Sequence, residues 1–288
     1  MNVAGGVAPG ASAPLGATAS ERGVNFSVFS KSASRVDLLL FDGEQATEPS
    51  HVVPLNPLTQ HTSHYWHAFV PGIGPGQVYA YRADGPVDHA RGLRFDATKA
   101  LLDPYGRAVA VPSGYDRGAA ARPGPNLATA MKSVVSHPNG YDWEDDHPLH
   151  RPFDDSVIYE LHVRGFTRHP TSGVGAATRG TYAGLVEKIP FLDDLGVTAV
   201  ELLPVFQFDP QDAPTGRTNY WGYQPVSFFA PHHAYSSQSG ALAVVREFRD
   251  MVKALHRAER GALIRVAHAE AVQRNGWKED SAHDRLAA

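Results

Sequence analysis

The hydrophobic pattern changes once along this 288-residue chain, near Asp155, and this change is the feature that most constrains its fold. Upstream, short β-favouring runs such as residues 24–28 and 65–70 lie between turns rich in Gly and Pro. That arrangement is typical of a β-sandwich. Downstream, nearly continuous apolar strands alternate with segments of helical spacing, as in sheets covered by helices. The sequence therefore predicts two structural units.

The first unit is predicted to be an immunoglobulin-like β-sandwich over residues 14–115. Residues 1–13 contain mostly Gly, Ala, Pro and other small residues, so they bury too little surface to offset their ordering entropy, and a flexible tail is expected. Residues 116–154 are predicted to be an irregular linker because they mix Gly, Pro, Asp and His. An exposed Trp66 would favour glycan binding by the sandwich, but packing of Trp66 in the core is the interpretation we prefer.

The second unit is predicted to start a (β/α) barrel or a doubly wound sheet over residues 155–258. Its two predicted strands span residues 157–163 and 197–205. A helix lies between them, which Pro190 breaks or restarts, and another helix follows the second strand. The helix faces are marked by apolar residues mostly three or four positions apart: Leu185, Ile189, Leu192 and Leu195, then Leu242, Val245, Phe248, Val252 and Leu255.

The loop after the second predicted strand contains Tyr220, Trp221 and Tyr223. Loops at this end of barrel strands build active sites, and aromatic rings in such a loop can stack on the apolar faces of sugar rings. Residue types alone favour the alternative, in which the rings pack as an aromatic corner beneath the loop. Glu201 lies within the second strand and is expected to be structural rather than part of a site.

Composition excludes several classes of protein. The chain has no cysteine, which excludes disulfides and thiolate metal sites. Its fifteen histidines show no metal-binding spacing, and phosphate-loop and serine-nucleophile motifs are absent, so no metal or cofactor is predicted. A net charge of -4 without a basic stripe argues against nucleic acid. With no signal peptide or membrane span in the sequence, a soluble cytoplasmic protein is expected.

Several motifs resemble one family in the correct order. Residues 157–167, which end in Arg-Gly-Phe-Thr, are similar to the first barrel strand of the α-amylase superfamily. That ending resembles glycogen debranching enzymes and isoamylases rather than branching enzymes or trehalose-releasing hydrolases. Upstream, residues 14–30, 79–82 and 102–105 resemble the glycan-binding-type sandwich that precedes this barrel. The other matching segments are residues 179–185, 195–205, 219–223, 228–231 and 247–258.

The resemblance implies a multi-domain fold, with an all-β immunoglobulin-like sandwich followed by an incomplete (β/α)8 TIM-barrel segment. It also implies an α-glucan partner (glycogen or branched maltodextrin) and hydrolysis of α-1,6 branches by two carboxylates. By analogy, Tyr223 corresponds to the aromatic that stacks on the sugar beside the scissile bond. Tyr220 and Trp221 accompany it as predicted substrate-binding residues.

The chain departs from the family after Ala258. The expected Asp-Val-Val-x-Asn-His pattern is missing, and residues 259–288 form a divergent tail in which residues 262–272 have the character of a third strand. A barrel needs eight strands and about 250 residues. We therefore expect the N-terminal part of a debranching glycosidase, from a truncated or frameshifted gene or a misassembled reading frame, with no catalytic residue and no activity alone. The alternatives are a non-catalytic α-glucan-binding module and an inert gene product.

Overall fold

The computed structural model describes residues 6–137 and 139–264. Its first part is a β-sandwich, followed by a smaller unit of parallel strands and helices. The sandwich and its connections contain eleven strands: β1 (Gly16–Ser20), β2 (Gly23–Phe29), β3 (Arg35–Phe41), β4 (His51–Pro54), β5 (His61–Thr62), β6 (Tyr65–Pro71), β7 (Val78–Asp84), β8 (Val87–Asp88), β9 (Leu93–Arg94), β10 (Val109–Ala110) and β11 (Lys132–Val134).

Two antiparallel sheets form the sandwich, with strand orders β1-β2-β6-β5 and β10-β11-β7-β3-β4. Alternate side chains from the two sheets meet in one core, which includes Phe26, Leu38 and Tyr79. Trp66 is part of this core and only 2% exposed, so the preferred interpretation of Trp66 as a core residue is confirmed. Strand β3 is buried on both faces because its outer side chains, such as Leu39, pack against the second unit.

The predicted linker contributes to the sandwich, contrary to the expectation that residues 116–154 are wholly irregular. Strand β11 pairs with β7 and β10, and a short helix, α1 (Arg117–Ala121), precedes it. The sandwich therefore extends beyond residue 115. Sequence pattern missed β11 because it has only three residues and two of them are polar, although all three are buried. Its position is fixed by pairing with strands that are distant in sequence.

The described part of the predicted tail is attached to the sandwich rather than loose. Ala8 and Phe69 exchange two backbone hydrogen bonds of 2.9 Å. The Asn25 side chain bonds both the backbone N–H and the carbonyl of Ala11. The composition argument failed here because backbone hydrogen bonds, rather than apolar side chains, hold the segment. Residues 1–5 lie outside the described residues.

The second unit contains three parallel strands, β12 (Ile158–Leu161), β13 (Ala199–Leu202) and β14 (Gly261–Ile264), in that spatial order. Both predicted strands are present, and the third confirms strand structure near residue 262; the rest of the tail after residue 264 is outside the described residues. Its helices are α2 (Val163–Thr167), α3 (Tyr182–Val186), α4 (Ile189–Asp194) and α5 (Ala241–Arg257). Leu185, Leu192, Met251 and Leu255 pack against the sheet residues Val200 and Leu202 in one core.

Two helical predictions need correction. The helix expected through Leu185 and Leu195 is two helices, because the second one, α4, begins at Ile189 with Pro190 in its first turn. Leu195 is exposed rather than on the buried face, because α4 ends just before it and Gly196 follows with a left-handed φ of +71°. The first strand is also shorter than predicted, since Val163 already belongs to α2.

Helix α5 joins the two units. Its buried residues Ala241 and Val245 pack against Leu39 and Phe41 on the outer face of the second sheet. The Glu44 side chain accepts a 2.8 Å hydrogen bond from the backbone N–H of Ala241 at the start of the helix. Other buried residues of α5, including Val244, Met251 and Leu255, pack in the core of the second unit. None of the helices in the described part of the chain has the length and apolar character needed to cross a bilayer.

Candidate functional site

The candidate site lies at the carboxyl ends of β12 and β13. His162 follows β12 directly, and a long loop over residues 203–240 connects β13 to α5. Because the two strands are parallel neighbours, their carboxyl ends meet at the same edge of the sheet. His162 and the aromatic residues of the loop are therefore brought together, although they are about sixty positions apart in sequence.

The rings of His162 and Tyr220 form the centre of the site. Their centroids are 4.1 Å apart and their planes differ by 5°. The His162 Nε2 atom lies 2.8 Å from the backbone oxygen of Tyr220 and 3.1 Å from the Tyr235 hydroxyl. Trp221 meets Tyr220 edge-on, with centroids 5.3 Å apart. The geometry fixes the orientation of the His162 ring and of the loop at Tyr220.

The hydrogen bonds of His162 define its tautomer. Its Nδ1 atom accepts a 3.1 Å hydrogen bond from the backbone N–H of Gly165 and so caps α2. The proton of the neutral ring must then be on Nε2, from which it is donated to the Tyr220 carbonyl. Burial lowers the pKa of His162, and the charge of Arg164 acts in the same direction. The neutral ring is thus the form that this arrangement requires.

A second layer of aromatic residues supports the first. The Tyr235 hydroxyl donates to the Tyr220 carbonyl at 3.4 Å. The rings of Phe208 and His232 are stacked at 3.7 Å, and the Tyr182 hydroxyl donates to the His232 carbonyl at 3.3 Å. Burial holds the pKa of His232 well below its ordinary value. These contacts give the exposed rings a rigid base.

The turn between the predicted aromatic residues requires glycine. Gly222 has a φ of +74°, a left-handed conformation that residues with a Cβ rarely adopt. A Cβ at this position would also lie 2.6 Å from a ring carbon of Phe208. Gly222 therefore lets the backbone of the loop pass directly over the second aromatic layer.

The predicted site residues have different surroundings. Tyr220 and Trp221 are 42% and 56% exposed, so these two rings are not packed beneath the loop. Tyr223 is only partly buried and follows Gly222 in the same loop. Glu201 is in the middle of β13, in register with Glu160 of β12. The described residues contain no group of three or more side chains arranged to hold a metal ion.

Sequence analysis did not identify His162 or Tyr235 as site residues. The position of His162 at the end of the first predicted barrel strand was the available signal, since carboxyl ends of parallel strands carry functional residues. Tyr235 gave no such signal, because its contacts with His162 depend on the path of a loop that no local pattern predicts.

The sandwich also holds the site loop. The Asp209 carboxylate accepts a 2.6 Å hydrogen bond from the Tyr115 hydroxyl and forms a 2.8 Å ion pair with Arg117. Further along the loop, the rings of Phe229 and Tyr105 are stacked with centroids 5.5 Å apart. The loop is therefore attached at Asp209 and at Phe229, on either side of Tyr220 and Trp221. Its partners, Tyr105, Tyr115 and Arg117, belong to the first unit and to the start of the predicted linker.

Comparison with known families confirms the predicted resemblance. Residues 14–106 match the family "Carbohydrate-binding module 48 (Isoamylase N-terminal domain)". A glycogen debranching enzyme from Serratia proteamaculans is 44% identical over 259 residues, covering 87% of this chain and 38% of that protein. Isoamylase 1, chloroplastic, from Oryza sativa subsp. japonica is 38% identical, covering 87% of this chain and 32% of that protein. The chain thus spans less than two fifths of these relatives.

Solved structures show the same architecture. A pullulanase from Bacillus acidopullulyticus superposes with a TM-score of 0.68 at 26% identity, covering 88% of this chain and 29% of that one. The catalytic module of the pneumococcal protein SpuA superposes with a TM-score of 0.69 at 23% identity, which shows the fold alone. It covers 92% of this chain and 39% of that module. Over most of its own length, the chain is therefore similar to glycogen debranching and isoamylase proteins, and its residues 14–106 match a carbohydrate-binding module of the isoamylase N-terminal type.

Proposed function

We propose that this chain provides an α-glucan-binding portion of a glycogen debranching glycosidase. The observation that carries the proposal is the exposure of Tyr220 and Trp221 on a rigid base, at the carboxyl edge of parallel strands. Sugar rings present apolar C–H faces that pack on aromatic side chains, and the nearby polar groups can bond hydroxyls. Tyr223 is assigned to the same substrate-binding surface. The names of the relatives support glycogen as the ligand, and branched maltodextrin stays an expectation from the resemblance.

We further propose that β12, β13 and β14 belong to an incomplete (β/α)8 barrel and that this chain alone does not hydrolyse glucan. The family places its nucleophile and its acid on strands that follow the motifs shared with this chain. Nucleophilic and acid–base groups supply much of the rate of glycoside hydrolysis. The cytoplasmic location expected from the sequence stays a prediction.

The binding of maltoheptaose to the full chain tests the proposal by calorimetry. Trp221→Ala and Tyr220→Ala should each weaken binding at least about fivefold, because each removes a stacking surface. Trp143→Ala is the matched control, since Trp143 packs on Tyr141, whose hydroxyl donates to Asp250 of helix α5, and it is not part of the loop. Equal affinity of the Trp221 variant and the unchanged chain would contradict the assignment of the site.

Hydrolysis is measured separately as reducing-sugar release from pullulan and glycogen. The proposal expects no release above the rate of a blank. A rate that copurifies with the chain and persists after removal of contaminants would contradict the statement that the chain is inactive alone.

A second candidate is glycan binding by the sandwich itself. Phe29 is 50% exposed at the end of β2, with its ring against Tyr65 and His64. It borders a groove of about 480 Å³ that also includes Phe95 and Leu102. If the sandwich binds glucan independently, Phe29→Ala lowers affinity while Trp221→Ala does not, so the two candidates give opposite results in one assay.

A further inference from the structure

Glu247 places a buried carboxylate directly behind the aromatic loop. Its side chain is in α5, and the residue is only 7% exposed. Oε1 accepts a 3.0 Å hydrogen bond from the backbone N–H of Ala183, and Oε2 accepts bonds of 2.9 Å from the N–H of Ser237 and 2.6 Å from the hydroxyl of Ser236. The N–H of Gln238 adds a further bond of 3.2 Å. All these partners are donors, so the ionised carboxylate is the form that satisfies them.

The two anchored segments adjoin the tyrosines that support the site. Ala183 follows Tyr182, whose hydroxyl donates to the carbonyls of Val205 and His232 at 3.4 and 3.3 Å. Ser236 follows Tyr235, whose hydroxyl lies 3.1 Å from Nε2 of His162. Glu247 therefore fixes the backbone on which each tyrosine is carried, although it does not contact the exposed rings.

We propose that Glu247 is a positioning residue. It holds Tyr235, and through Tyr235 the stack of His162 on Tyr220, in the orientation that presents Tyr220 and Trp221 to an α-glucan. The presentation of the two rings to an α-glucan rests on the proposed function, whereas the placement of the His162–Tyr220 stack rests on geometry alone.

A purely structural role makes a different prediction. A buried carboxylate that only joins α5 to its neighbours would lower the free energy of unfolding when replaced, but it would leave the arrangement of His162 and Tyr220 unchanged in molecules that stay folded. The position of the His162 ring relative to Tyr220 in the folded state therefore separates the two roles.

The test uses the full chain and the proton resonances of the His162 imidazole. In the unchanged chain these protons are shifted by the ring current of the stacked Tyr220 ring, and Tyr220→Ala gives their position without it. Glu247→Gln keeps the size of the side chain but turns an amide donor toward N–H and O–H donors. We expect it to move the His162 resonances at least halfway to the Tyr220→Ala position and to weaken maltoheptaose binding at least about fivefold.

Asp37→Asn is the matched control. Asp37 is a similarly buried carboxylate, but its partners are Arg35 and Arg82 in the sandwich. It should leave the His162 resonances in place even if it lowers the melting temperature by the same amount.

A milder variant covers the case in which Glu247→Gln does not fold. Replacing both Ser236 and Ser237 by Ala removes two hydroxyl donors while the backbone N–H bonds to Glu247 remain. It should move the His162 resonances in the same direction. Unmoved resonances in either folded variant would overturn the positioning role. If the unchanged chain binds no maltoheptaose, the proposed function fails, and the resonances still decide the role of Glu247.

Discussion

The hydroxyl of Tyr79 donates a 2.7 Å hydrogen bond to Oδ2 of Asp103 in the interior of the sandwich. Both residues are almost fully buried. Burial raises the pKa of Asp103 to about 6, although the bonds from Tyr79 and from the Tyr105 N–H favour the ionised form. The sandwich therefore contains a carboxyl group that titrates well above its ordinary range.

This shift predicts a pH dependence of stability. Between about pH 4 and 6 the folded state retains the Asp103 proton while the unfolded chain has lost it, so the free energy of unfolding contributed by this group falls as pH rises through that window. A shift of two pKa units corresponds to about 3 kcal/mol in the free energy of unfolding. Asp103→Asn should remove this dependence. Urea unfolding of the unchanged chain and of the Asp103→Asn variant at pH 4 and 7 measures this dependence. If the free energies of unfolding of the two proteins differ by the same amount at both pH values, the prediction is wrong.

The ion pair of Arg117 with Asp209 gives a prediction about the contact between the sandwich and the site loop. Arg117→Ala leaves the buried Asp209 carboxylate with Tyr115 but without its cation. Because Arg117 is partly exposed, we expect a loss of about 1–2 kcal/mol, near the lower range for hydrogen bonds to charged groups.

Urea unfolding at neutral pH measures this loss. Arg122→Ala is the control, since Arg122 is an exposed residue at the end of the same short helix. Similar losses in the two variants would show that the pair with Asp209 contributes little.

Gly222 allows a prediction with a close internal control. Gly222→Ala places a methyl group at φ +74° and within 2.6 Å of Phe208, so strain and overlap combine. We expect a loss of about 2–4 kcal/mol and weaker glucan binding. Gly216 has a similar φ of +79°, but no atom lies within 4 Å of the position that a methyl group would take there.

Gly216→Ala should therefore cost only the backbone strain, about 1–2 kcal/mol. Thermal or urea unfolding of the two variants isolates the contribution of the contact with Phe208. A loss at Gly216 as large as that at Gly222 would mean that overlap with the Phe208 ring is relieved by a small shift of the loop.

The sequence predicted the elements whose pattern is local. The run from Val24 to Val28 alternates because one face meets the sandwich core. The apolar spacing in α5 predicted a helix, but the predicted single face divides, since Val245 packs with the sandwich and Leu255 packs in the core of the second unit. Strand β11 was missed because it is held by pairing rather than by an apolar pattern. Its three residues are buried through contacts with strands far away in sequence.

The site was predictable only in part for the same reason. Tyr220 and Trp221 were assigned to substrate binding through the family resemblance, and that assignment stays a prediction. The partner of Tyr220 is fifty-eight positions away at His162. Glu247 appears in the sequence as one polar residue on an amphipathic helix, and only the path of the loop reveals its donors. Residue type and spacing do not encode such long-range contacts.

The last prediction concerns the protonation of His162. Its folded-state pKa lies below the ordinary value because burial disfavours the charged ring. The stability associated with the neutral ring is therefore present above about pH 6.5 and is lost progressively as the pH falls below that value. A protonated Nδ1 also cannot accept the N–H of Gly165, so the cap of α2 is lost with it.

His162→Asn separates these effects. Asn is a good helix cap and can keep an acceptor near Gly165, but it lacks the ring that stacks on Tyr220 and the Nε2 donor. At pH 7.5 we expect it to lower the free energy of unfolding by about 1–2 kcal/mol, and the difference from the unchanged chain should shrink toward pH 5. Urea unfolding at pH 7.5 and at pH 5 measures the loss in the free energy of unfolding and its decrease at the lower pH. His233, whose pKa is lowered by burial alone, contributes equally in both proteins, so its contribution cancels in the difference. A difference that stays constant between pH 7.5 and 5 would show that His162 does not need to be neutral to hold the loop.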